Sequence, residues 1–230
     1  TEIGAWRGPD HALEPQYTHI AENYGGFYTQ QQIREVIEYA EQRSITVIPE
    51  IDIPGHCRAA IKSLPDMLVE KADTTQYKSI QHYNDNVLNP GLSGTYQFLD
   101  IVIEEVAELF PSELIHMGAD EVPPGVWTNS PAAQALMKEH QYQDSKDLQG
   151  HLFRYAENKL KQLGKRMVGW EEAQHGDTVS KETIIYSWLS EEAAVNCARQ
   201  GFDVVLQPAQ FTYLDMTQDY APEEPGVDWA

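Results

Sequence analysis

From Thr29 onward the hydrophobic positions switch between two periods. Thr29-Gln30-Gln31-Gln32 has the form of a capping box, and Ile33, Val36, Ile37 and Ala40 follow at helical spacing. The run Ile45-Thr46-Val47-Ile48-Pro49-Glu50-Ile51 is dense in β-branched residues, as a buried strand is. Tyr96, Leu99, Ile103, Val106 and Leu109 form a second helical stripe, and Leu114–Gly118 a second strand. A helix is predicted from about Lys146 to Leu163, then strands at Arg166–Trp170 and Thr183–Trp188. Ser190 is placed to cap a helix carrying Ala193, Ala194 and Cys197, and Phe202–Leu206 is the last strand. Five strands separated by helices predict a parallel α/β sheet in a single domain.

Polar residues recur just after the strands: Asp52 and His56, Asp120 and Glu121, Glu171 and Glu172, Tyr213 and Asp215. Sites in parallel α/β folds assemble at the carboxyl ends of strands. Four successive polar strand ends suit the rim of a barrel better than an open sheet, whose site is confined to one switch point.

Composition narrows the partners. Acidic residues outnumber basic ones 36 to 16, for a formal charge of -20. Such a field repels phosphate backbones and anionic lipid, so neither nucleic acid nor a membrane surface is an expected partner, while a neutral ligand is indifferent to it. No apolar run approaches the ~20 residues of a spanning helix. Five Trp and twelve Tyr supply flat rings for core packing or for stacking against a sugar. Cys57 and Cys197, the only cysteines, make no disulfide framework and do not report the compartment; a periplasmic or secreted setting is favoured over a cytoplasmic one.

The densest chemistry is His116-Met117-Gly118-Ala119-Asp120-Glu121. Adjacent acids at a buried strand end resist ionisation through burial and like charge, which is how a carboxyl keeps a proton for general acid work. Strand alternation points neighbours to opposite faces, so both acids reach one site only if the strand stops there. Taken alone, an Asp-Glu pair is more often the start of a solvated loop. Asp52 and Glu172 read as loop-pinning residues, His116 as a buried hydrogen-bonded one, and Trp188 as core and sugar platform in equal measure.

Several segments together are more specific. HMGADEV resembles the His-x-Gly-[Ala/Gly]-Asp-Glu signature of glycoside hydrolase family 20. Glu50-Ile51-Asp52-Ile53-Pro54-Gly55-His56, Val168-Gly169-Trp170-Glu171-Glu172, and Gln207-Pro208 followed by Tyr213-Leu214-Asp215 are similar to its third-, fifth- and seventh-strand motifs, in the same order. The resemblance implies a TIM (β/α)8-type barrel, here partial, over about strands three to seven. It also implies a β-N-acetylhexosaminidase that works without metal or cofactor on N-acetylglucosamine-containing oligosaccharides or glycoconjugates. In that scheme the substrate's own 2-acetamido oxygen is the nucleophile and an oxazolinium ion the intermediate. Glu121 is the implied acid and then base, Asp120 orients the acetamido N–H, and Tyr213 donates to its oxygen. Trp170 walls the acetamido pocket, Asp215 binds a ring hydroxyl, and His56 belongs to a hydrogen-bonded chain that tunes the acid; Trp188 stands beside them as a candidate substrate-binding residue without a motif of its own.

A complete barrel takes about 250 residues, and the turn-rich start (Arg7-Gly8-Pro9-Asp10, Tyr24-Gly25-Gly26) reads as the connection after a second strand. Strands one, two and eight are expected to lie outside this sequence. The exposed sheet edges are then expected to be covered by those strands or by self-association. Two readings compete: a metal-dependent hydrolase using Asp52, His56, His116, Asp120, Glu171 and Glu172, disfavoured because no His-Glu-x-x-His or close His pair exists, and a non-catalytic carbohydrate-binding fragment.

Overall fold

The computed structural model describes residues 27–177 and 179–214. Five strands, β1 (Glu50–Ile53), β2 (Leu114–Gly118), β3 (Arg166–Trp170), β4 (Ile184–Ser187) and β5 (Asp203–Leu206), form one sheet in the order β1-β2-β3-β4-β5, every pair parallel. The connections between consecutive parallel neighbours carry the main helices onto one face, where they pack on the sheet. With no reversal of strand order there is no switch point, and the sheet is a stretch of barrel wall, as the sequence predicts. The turn-rich start lies outside the described residues.

The main helices follow the sequence pattern closely. α1 (Gln30–Glu41) opens on the Thr29 capping box, α4 (Ser93–Leu109) carries the Leu99/Ile103 stripe, and α6 (Ser145–Gln162) starts on an Asp144–Asp147 capping box. In α7 (Glu191–Arg199) the Ser190 hydroxyl accepts from Ala193 N. Four shorter helices were not predicted: α2 (Arg58–Ser63), α3 (Pro65–Leu68), α5 (Pro131–His140) and α8 (Ala209–Thr212). α5 carried a readable start, since Ser130 caps it and Pro131 takes the first turn.

The first strand is shifted from its predicted place. Pairing begins at Glu50 opposite His116, with His116 N donating to Pro49 O (2.9 Å). Because β2 starts at Leu114, residues before Ile48 have no ladder partner there, and Pro49 has no N–H to give. Asp52, expected just beyond the strand, therefore sits inside it.

The two faces of the sheet differ. Ile53, Ile115, Met117, Met167 and Ile185 point to the helices and pack with Leu99, Ile103, Leu152, Phe153 and Leu160. By the period of two, Glu50, Asp52, His116, Trp170 and Tyr186 line the opposite face. There the His116 ring lies 4.6 Å from Trp170 and 5.4 Å from Tyr186. The apolar side is the core; the other is polar and aromatic, and holds the site. Among the described residues no helix is long and apolar enough to cross a membrane.

Phe153 is fully buried at the centre of the helix–sheet layer. Phe153→Ala is expected to lower stability by about 3–5 kcal/mol, read as a fall in the urea midpoint at unchanged slope.

Candidate active site

β2 stops abruptly. Gly118 (φ 71), Ala119 (φ 110) and Glu121 (φ 51) all take positive φ, a region that costs non-glycine residues energy and is held only where the surroundings enforce it. The turn breaks the strand's alternation, so Asp120 and Glu121 reach the same imidazole. His56 Nε2 lies 3.3 Å from Asp120 Oδ2 and 3.2 Å from Glu121 Oε2. His56 comes from the turn after β1, itself at φ 53 and two residues beyond a cis Ile53–Pro54 bond.

Gly118 is obligatory. A Cβ there would stand 1.8 Å from Asp52 Oδ1, so the Asp52 carboxyl occupies the space that any other residue would fill. Asp52 does not pin a loop, as the sequence had implied. It joins His56 and Asp120, the three ligand atoms all within 4.8 Å of one another.

Protonation follows from this crowding. Asp120 first, then Glu121, pull His56 up to about 10 against the effect of burial, so the imidazole is charged at neutral pH. Burial, then the Asp120 charge, pushes Asp52 up to about 9. Burial alone would raise Asp120 too, but His56 and a hydrogen bond from Asp52 outweigh it and hold Asp120 below the usual carboxylate value. The buried Asp52 Oδ1 and Asp120 Oδ1 have no N–H or hydroxyl donor among the described residues, and one proton on Asp52 satisfies both. The penalty expected of the acid pair thus falls on Asp52. A divalent metal at these three groups would need His56 neutral and both acids ionised.

Glu121 is also held by a residue with no sequence signal: Gln81 Nε2 donates to Glu121 Oε2 at 3.1 Å. Gln81 lies on the long 69–92 connection, fixed where Tyr77 Oη accepts from Asn86 N and Val87 N (2.8 and 3.1 Å) and where Arg58 Nε meets Asp85 (2.6 Å). Both contacts to Glu121 fall on Oε2. Glu121 borders three clefts: ≈ 440 Å³ beside Lys78 and His82, ≈ 410 Å³ beside Gln149 and Glu172, and ≈ 490 Å³ beside Trp188 and Gln210.

The tryptophans are tied by their indole N–H groups. Trp170 donates to Glu50 (3.1 Å) and Trp188 to Glu172 (3.3 Å). Trp188 is 8% exposed and stacks on Tyr213 (6.4 Å, 15°), so it is at once core and cleft wall. Glu171 is structural, accepting from Trp188 N (2.9 Å) and Leu189 N (2.8 Å). His116 is neutral: its Nδ1 accepts from Gly118 N (3.0 Å) and burial pushes it down to about 4, so its 3.4 Å approach to Glu50 is no ion pair. Asp215 lies outside the described residues.

The glycosyl hydrolase family 20 catalytic-domain model matches residues 1–230. The chain is 74% identical to a beta-hexosaminidase of Vibrio furnissii over its full length and 35% identical to one of Porphyromonas gingivalis over 98% of it, spanning 38% and 30% of those proteins. It superposes at TM-score 0.91 on the GH20 exo beta-N-acetylglucosaminidase of Vibrio harveyi in complex with N-acetylglucosamine, at 73% identity, covering 99% of this chain and 36% of that one. Against the Flavobacterium johnsoniae chitobiase the score is 0.75 at 29% identity, covering 94% and 33%.

The His56 cluster has a measurable signature. In an NMR titration the His56 ring should stay charged well above pH 7, and Asp120→Asn should bring its midpoint down. The folded value lies above the ~6.5 of an unfolded chain, so the stability this histidine contributes is whole below that pH and is lost as the pH climbs towards about 10.

Proposed function

The chain belongs to glycosyl hydrolase family 20, and on that footing we propose that the end of β2 carries the acid pair of a β-N-acetylhexosaminidase. The supporting observation is the convergence of Asp120 and Glu121 on one imidazole, 3.3 and 3.2 Å away. The reaction is hydrolysis of a terminal, non-reducing β-linked N-acetylhexosamine. The N-acetylglucosamine bound by the Vibrio harveyi relative supports that substrate class. The formal charge of -20 also agrees with a neutral ligand.

Glu121 protonates the departing glycosidic oxygen as the substrate's acetamido oxygen attacks the anomeric carbon. It then takes a proton from the water that opens the oxazolinium ring, so acid and base are one residue at successive steps. Asp120 receives the acetamido N–H. Its ionised state, maintained by His56 and the protonated Asp52, places a fixed negative charge where the oxazolinium charge develops. An amide is a weak nucleophile, so holding it against the anomeric carbon is the larger part of the work. Tyr213 holds the acetamido oxygen, Trp170 and Trp188 enclose the sugar, and Asp215 takes a ring hydroxyl. His56 acts through both acids and does not touch the sugar.

Glu121→Gln removes the transferable proton while preserving an oxygen for His56 and Gln81. Hydrolysis of unactivated chitobiose should fall by roughly 10²-fold or more, with a smaller loss in bond cleavage for an aryl glycoside whose leaving group needs no proton. Chitobiose turnover near the unmodified rate would remove Glu121 from this role.

A further inference from the structure

Glu172 was expected to be a loop-pinning residue. It follows Trp170 and Glu171 in the 3-10 segment Glu171–Asp177 and borders the ≈ 410 Å³ cleft. Its Oε2 accepts the Trp188 indole N–H at 3.3 Å. Trp188 in turn borders the ≈ 490 Å³ cleft, stacks on Tyr213 and packs against Ala209 and Trp170. Glu121 lies on both clefts, so the Glu172–Trp188 contact joins the two sides of the acid.

We propose that Glu172 is a positioning residue for the hexosaminidase reaction: its carboxyl, acting through the Trp188 indole, sets the aromatic wall against which the sugar is held. An indole has one donor, and a buried donor without a partner costs free energy. A ring anchored at that donor cannot rotate about χ2 without breaking the bond, so Trp188 and the Tyr213 stacked on it share one orientation. The parallel bond from Trp170 to Glu50 shows the same device on the neighbouring ring.

The strength of the anchor depends on pH. Burial, with the charges of Glu171 and Asp120 adding to it, pushes Glu172 up to about 7, against its own backbone N–H and the Trp188 indole. Other charged or titratable residues bordering the same cleft are Glu121, Asp144, Lys146 and His175. Above that pH the bond is charge-assisted and stronger; below it a neutral carboxyl holds the indole more loosely.

The role rests on the hexosaminidase reading for its kinetic arm only. Glu172→Gln keeps an oxygen for the indole and removes the titration; Glu172→Ala removes both. Tryptophan emission should change in the unmodified protein about a midpoint near 7, and that change should vanish in Glu172→Gln and in Trp188→Phe. On an aryl β-N-acetylglucosaminide, Glu172→Ala should raise KM about 10-fold with a smaller effect on kcat, and Glu172→Gln should restore most of it and flatten KM against pH. An emission titration that persists in Glu172→Gln, or a KM for Glu172→Ala equal to the unmodified one, overturns the role. If Glu172→Ala does not fold, the emission and KM–pH comparison of Glu172→Gln decides. If the unmodified protein, assayed with the barrel strands expected outside this sequence in place, does not cleave the glycoside, the hexosaminidase reading falls, and the emission arm alone decides the Glu172–Trp188 coupling.

Discussion

At the end of β2, the Gly118 backbone and the Asp52 carboxyl compete for one small volume. A side chain at 118 would begin 1.8 Å from Asp52 Oδ1, and the backbone there already has φ 71. Only glycine allows the strand to turn over Asp52 at that point. The turn brings Asp120 and Glu121, neighbours that a continuing strand would point to opposite faces, onto His56 together. The protonated Asp52, the charged His56 and the ionised Asp120 all follow from that closure.

The site is a problem of charge as much as of shape. Asp52, Asp120 and Glu121 crowd one histidine in a chain that is already strongly acidic. Left ionised together they would repel. One proton held on Asp52 and one on His56 let Asp120 stay ionised between them. Burial is what makes this division sharp, because it penalises each uncompensated charge far more than water does. The same principle operates at the walls, where Glu50 and Glu172 are pushed towards neutrality yet still accept indole protons.

Much of this was legible in the residues. Periodicity located all five strands and the long helices, since each buries a face and that face repeats. It misplaced the start of β1 because ladder pairing depends on where β2 begins, at Leu114, 64 residues beyond Glu50. Asp52 was read as peripheral because of that shift; once β1 is placed at Glu50–Ile53, alternation puts Asp52 on the face with Glu50 and the reading changes. Gln81 could not be found at all. It sits in a connection fastened by contacts such as Arg58–Asp85 and by Trp127 Nε1 donating to Leu88 O (3.0 Å), none of which leaves a periodic trace. Trp188, balanced between core and platform in the sequence, is buried and also lines a cleft beside Glu121.

In the proposed reaction these carboxyls act on a sugar through the sugar's own acetamido group. Stepwise fluorination of that group's methyl weakens its oxygen as a nucleophile while leaving the leaving group unchanged. Measured as kcat/KM on aryl glycosides, the rate should fall progressively from acetamido to trifluoroacetamido. Equal rates along that series, or cleavage of the matching glucoside that has no acetamido group, would contradict it.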